Sequence, residues 1–243
     1  MNMSRICNCS EKSCRIHFGL PFYFFTFSSL LSGECCSGHR IIAGDCSCIP
    51  KSGKMTQNIG NFWNGCASKA EKVPEISLLA VADAEHDTAM HPEYLHTPAV
   101  LKDEETRMDF CLRQAAEKKD ELRHHAGYIV NDGAYAKKKY ADGIVNRTDP
   151  HLISKPGKYA DLRYLCTGPR KGGKGRPKIF DGKTGCENTG RSRFVLCHED
   201  GETAVYSAAV SSRALKRNIR AAYAENRRIR HPYFQRIRNR TDI

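Results

Sequence analysis

Three short apolar runs that end on or contain an aspartate constrain this chain more than any other feature. Residues 41–49 read IIAGDCSCI, residues 75–83 read EISLLAVAD, and Tyr128–Val130 runs into Asn131-Asp132-Gly133. Unbroken apolar runs of this length mark strands covered on both faces. Such strands need helices to cover them, and residues 98–125 supply the pattern. Leu101, Met108, Ala115 and Leu122 recur every seventh position on a charged background, which gives one apolar stripe. Thr97 is a suitable N-cap and Pro98 a suitable first helical residue. Asp103, Glu104 and Glu105 come early and Arg123, His124 and His125 late, in the sense that complements the helix dipole. Gly127 stops the helix. A second helix is expected from Ala134 to about Val145, and a last strand over His151–Lys155. The order strand, strand, helix, strand, helix, strand predicts an α/β sheet flanked by helices.

Charge is the second constraint. The chain has 243 residues, 39 Lys and Arg against 27 Asp and Glu, and a net charge of +12. A basic surface favours phosphate-rich partners, because each neutralised phosphate releases a counterion. Residues 169–178, PRKGGKGRPK, contain cations and no acid, and residues 213–240 are dominated by Arg. Glycine-rich loops are expected over 156–191. Hairpin strands are expected at Arg193–Leu196 and Thr203–Val210, with a further strand near Asn218–Ala224.

Asp45 lies inside one buried run and Asp132 at the end of another. A carboxylate in such a place costs free energy unless something compensates it. A turn or cap is one answer. A hard divalent cation is another: Mg²⁺ takes oxygen ligands and leaves sites open for phosphate.

Several blocks, in order, resemble a family of bacterial insertion-sequence transposases with a DDE catalytic domain. They are HRIIAGDCSCIPKSGK (39–54), NFWNGCASKA (61–70), EISLLAVAD (75–83), YIVNDGAYAKK (128–138) and the segment 151–183. The resemblance covers about residues 39–225. It implies a ribonuclease-H-like mixed sheet flanked by helices, a β-rich insertion and a basic C-terminal tail. With composition setting off both ends, the expected divisions are a divergent Cys- and Phe-rich leader (1–38) that departs from the family, the first part of the DDE core (39–155), a basic β-rich insertion (156–225) and a basic tail (226–243). It also implies phosphodiester cleavage and strand transfer at transposon ends. Asp45 and Asp132 would be the catalytic, metal-binding acids for Mg²⁺ or Mn²⁺. Lys155, Arg170, Lys171, Lys174, Arg176 and Lys178 would contact DNA. The implied partner is double-stranded DNA, with room for a homodimer on it, and the implied location is cytoplasmic, at the nucleoid.

One element of the family pattern is missing. The third acid should be a glutamate within Tyr-x2-Arg-x3-Glu. Counting from Tyr223 puts Asn226 and Arg230 in those places; counting from Tyr233 puts Arg236 and Arg240 there. The expectation is a chain that stops before the catalytic helix, with weak or no cleavage of its own. A non-catalytic DNA-binding remnant is the alternative.

Other signals are weaker. Gly168–Lys174 matches the start of a P-loop, but Gly175 replaces the metal-binding Ser or Thr and Pro177 spoils the helix start, which argues against a nucleotide cofactor. Lys174-Gly-Arg-Pro-Lys178 resembles a minor-groove arm. Of 12 cysteines, seven precede residue 49; their spacing matches neither zinc knuckles nor a small disulfide framework, so free thiols are expected. The apolar stretch 20–31 is too short to span a bilayer, so no membrane partner is expected. Its flanks allow an exported, Cys-rich alternative. His86, His91 and His96 are read as loop residues, Trp63 as a core or strand-edge aromatic, and Cys197–Asp200 as a turn.

Overall fold

The computed structural model describes residues 10, 12–13, 16, 23–36, 38–50, 56–102, 104–157, 160–168, 176–184, 191–226 and 233–234. The fold is α/β and is built around two sheets.

The first sheet contains β1 (Arg40–Cys48), β2 (Ile59–Asn64), β3 (Lys69–Asp83), β4 (Thr88–His96), β5 (Tyr128–Asn131) and β6 (His151–Ser154). Strands β2 and β4 both pair with β3, β3 pairs antiparallel with β1, β1 parallel with β5, and β5 parallel with β6. The mutually parallel strands β1, β5 and β6 are the apolar ones, with Ile42, Ile129 and Leu152 fully buried. Side chains alternate across a strand, so Cys46 and Ser77 face the helical layer. Asp45 faces the other way.

That helical layer comprises α1 (Phe24–Cys35), α2 (Arg107–Glu117), α3 (Lys119–His125) and α4 (Lys138–Arg147). Helix α2 puts Gln114 against Ser77 (2.6 Å) and Cys111 against Cys46 (3.4 Å). Helix α4 puts Tyr140 against Asn131 (3.2 Å). Helix α1 packs on β4 and is tied to α3 by Ser32 and His125 (3.3 Å).

The second sheet holds β7 (Leu162–Leu165), β8 (Phe180–Thr184), β9 (Val195–Glu199), β10 (Thr203–Ser212), β11 (Arg217–Asn226) and β12 (Tyr233–Phe234). Every pairing in it is antiparallel. Its Leu162, Val210, Leu215 and Ile219 share one apolar cluster with Ile42, Leu112 and Ile144 of the first unit. Arg217 of β11 pairs with Asp142 of α4 across that junction.

The sequence reading needs correction at four places. Helix α2 starts at Arg107, not near Pro98, because Thr106 and Asp109 form a reciprocal capping box. Thr97 caps nothing: its N–H donates to Glu75 O (2.9 Å), which fastens it to β3. Residues 88–96 form a strand, so His91 and His96 are on β4 and not in a loop. The hairpin β2–β3 extends the sheet where the sequence suggested one run over 75–83. The stretch 156–191 contains β7 and β8 as well as loops. No described helix is long and apolar enough to cross a membrane.

Candidate functional site

The site begins with a register. Along the parallel pair β1 and β5, Ile42 lies opposite Ile129, Ala43 opposite Val130, and Gly44 opposite Asn131. The next position on each strand is Asp45 and Asp132. Asp132 keeps an extended backbone (φ −68, ψ 179), so the alternation carries through it and both acids leave the sheet on the face away from α2. Neighbouring strands are about 4.8 Å apart.

One side chain reinforces the register set by the backbone ladder. Asn131 is buried, and its Nδ2 donates to Gly44 O (2.6 Å) while its Oδ1 accepts from the Tyr140 hydroxyl (3.2 Å). Gly44 has to be small: a Cβ there would sit 2.7 Å from Asn131 Nδ2. The glycine–asparagine contact behind the sheet therefore aligns the two aspartates in front of it.

Each carboxylate has a local backbone partner. Asp45 Oδ1 accepts from the Cys46 N–H (2.8 Å), and Asp132 Oδ1 accepts from the Ala134 N–H (2.8 Å), capping the short 3₁₀ turn Gly133–Tyr135. The second oxygen of each has no hydrogen-bond partner among the described residues. Both residues are exposed, but the Asp45 carboxyl is crowded by surrounding chain. That desolvation pushes its pKa above the usual carboxylate range; the Cys46 N–H works against it, and the charge of Asp132 raises it further.

Lys155 completes the row. The β5–β6 ladder ends with Asn131 opposite Ser154, which puts Lys155 next to Asp132. Ser154 Oγ donates to Asp132 O (2.7 Å), and a Cβ on Gly133 would meet Lys155 O at 3.1 Å. Lys155 is exposed and has no ion-pair partner among the described residues. On the other side, Asp45 lies opposite Leu78, and Leu78 opposite Tyr94, which is 58% exposed.

The remaining predicted DNA contacts are not gathered here. Arg176 and Lys178 are exposed ahead of β8 in the second sheet, and Lys178 is paired with Asp181 (2.7 Å). Arg170, Lys171 and Lys174 lie outside the described residues. Trp63 is on β2, at the end of the first sheet's strand order, and 60% exposed, so of the two expected places it takes the strand edge and not the core.

Behind the carboxylates lies a thiol cluster that sequence reasoning missed. Cys46 and Cys111 have their sulfurs 3.4 Å apart; the Tyr135 hydroxyl donates to Cys46 Sγ (3.3 Å), and Ser77 Oγ donates to Cys111 Sγ (3.6 Å). The sulfur–sulfur contact holds the Cys111 thiol below the usual thiol range and, with burial, pushes Cys46 above it. Strand alternation was the available signal, since Cys46 must point opposite to Asp45.

The donor set at Asp45 and Asp132 fits a hard divalent cation shared by two carboxylates and water. It is short of a two-ion centre, which needs further oxygens. Among the described residues, no three His, Cys, Asp or Glu side chains converge in a metal-binding group. No protein-family model and no curated protein matches the chain.

Proposed function

We propose that this chain is a DNA-processing unit of the DDE transposase type, with a ribonuclease-H-like core whose Asp45 and Asp132 hold Mg²⁺ or Mn²⁺. The observation that carries the reading is the β1–β5 register, which sets two acids side by side just past the end of the parallel pairing, with Lys155 beside them. The strand order supports it: β4, β3 and β1 run antiparallel, then β5 and β6 run parallel to β1, with helices in both crossovers. Asp45 sits on the first strand of that series and Asp132 follows the fourth, once the β2 arm is set aside. The second, all-antiparallel sheet takes the place of the β-rich insertion.

The chain's own groups have defined roles in this reading. Asp45 and Asp132 each offer one carboxylate oxygen to the cation, and Lys155 draws a phosphate toward them. A bound divalent ion supplies charge neutralisation at the phosphate and activation of water. Ionised Asp45 and Asp132 repel one another, so cation binding and the ionisation of Asp45 reinforce each other. With no third carboxylate beside the pair among the described residues, this unit binds metal and DNA and cleaves weakly or not at all. That same observation favours a second reading, a DNA-binding remnant without catalysis.

Mn²⁺ titration by electron paramagnetic resonance tests the metal site. One bound ion is expected per chain, with affinity falling tenfold or more in Asp45→Asn and in Asp132→Asn. Equal Mn²⁺ binding by wild type and both variants removes the basis of the reading. Brisk Mg²⁺-dependent nicking of plasmid DNA that vanishes in Asp45→Ala would show that two acids suffice, contrary to the expectation stated.

A further inference from the structure

Cys46 and Cys111 come from elements 65 residues apart, β1 and α2, yet their sulfurs meet at 3.4 Å with no backbone between them. A disulfide needs about 2.05 Å, so closing the gap takes about 1.4 Å of side-chain and strand adjustment. The pocket around them is polar enough to hold a reacting sulfur: Tyr135 donates to Cys46, and Ser77 donates to Cys111. The two thiols differ in access. Cys46 is partly exposed and Cys111 is buried. The less buried of the two touching thiols, Cys46, is assigned as the entry sulfur and the buried Cys111 as the resolving sulfur.

We propose that Cys46 and Cys111 form a reversible intramolecular disulfide site, charged by a low-molecular-weight disulfide such as oxidised glutathione. In the first step the Cys46 sulfur passes its proton to the Cys111 sulfur it touches, attacks the reagent, forms a mixed disulfide and expels one glutathione thiolate, which takes up that proton. In the second the Cys111 sulfur attacks the Cys46 sulfur and expels the other. Two protein thiols and one glutathione disulfide become one protein disulfide and two glutathione thiols, so atoms and electrons balance. The bond pins β1 to α2 directly behind Asp45, whose carboxylate accepts from the Cys46 N–H. It also removes the thiol to which Tyr135 donates, in the turn that Asp132 caps. The site stands independently of the metal reading.

The test is oxidation of the full chain with oxidised glutathione, followed by peptide mapping without reduction. The expected result is a peptide containing Cys46 joined to one containing Cys111, released by dithiothreitol. In Cys111→Ser, the expected product is a glutathione adduct at Cys46 that does not resolve. In Cys46→Ser, Cys111 stays unmodified in the folded protein. Overturning results are a wild-type protein in which both thiols stay free or both carry glutathione, and a Cys111→Ser protein in which Cys46 remains unmodified.

Discussion

Substituting Gly44 by alanine tests the lock that aligns the two acids. The added Cβ would lie 2.7 Å from Asn131 Nδ2 and 3.5 Å from a Leu79 methyl. Two responses are open. Asn131 can stay and the strands shift, which as overpacking in a filled core costs about 1–3 kcal/mol. Alternatively Asn131 can swing away and lose its bonds to Gly44 O and Tyr140. Two buried hydrogen bonds at about 1 kcal/mol each give a similar sum. Both routes predict about 2 kcal/mol of destabilisation, or a fall of about 4–8 °C in Tm for a chain of this size. Urea unfolding should show a lower midpoint with an unchanged slope. The cycle with Asn131→Ala makes the reasoning exact about cause. With the amide gone, the new methyl group has space, so Gly44→Ala should cost much less there. A coupling of about 1–2 kcal/mol is expected for groups in contact. Strict additivity, or a Gly44→Ala protein as stable as wild type, would refute the lock.

Further predictions concern charge. Arg107→Ala strips the partner from Glu75, which is 1% exposed and receives Arg107 Nε at 2.6 Å; chemical denaturation should show a loss of about 3–5 kcal/mol, and a loss below 1 kcal/mol contradicts the pairing. Asp45→Asn should stabilise the metal-free protein at neutral pH, because a raised folded-state pKa means the ionised form opposes folding. That gain should disappear as pH falls below the unfolded-state value of about 3.9, where both states are protonated; destabilisation at neutral pH would contradict the crowding at the site. Asp109 is held down to about 2, first by Lys139 and then by its Thr106 partners. Its contribution, about 1 kcal/mol for a capping box, should be complete above about pH 4 and lost as pH falls toward 2; a pH–stability profile unchanged in Asp109→Ala counts against this.

The elements most legible in the sequence were those whose signal is local and strong. Strands β1, β5 and β6 are covered apolar runs, and IIAG, YIV and HLIS say so directly. Strand β4 was hidden because TAMHPEYLH alternates irregularly, carries Pro92 and has a bulge against β3 between Leu79 and Val81. Helix α2 was placed too early because Thr97-Pro98 has a sound local start signature. The competing fact is long-range, the bond from Thr97 N–H to Glu75 O. Glu104, at φ +62, sits in the left-handed region and breaks the helical path before Thr106. The acids could be picked out, Asp45 as an aspartate inside an apolar strand and Asp132 as one at a strand end. Their adjacency could not, since it rests on Asn131 reaching Gly44 across 87 positions of sequence.

That separation has a temporal side. A ribosome adding about 5–20 residues per second takes roughly 4–17 s to travel from Gly44 to Asn131. During that interval β1 can already pair with β3, which follows it closely in the chain. Its other edge, from Ile42 to Gly44, has no partner until β5 emerges. An uncovered apolar strand edge invites pairing with other chains. Slower translation between α2 and β5 should therefore lower the yield of soluble protein, and a chaperone that shields β1 during synthesis should restore it.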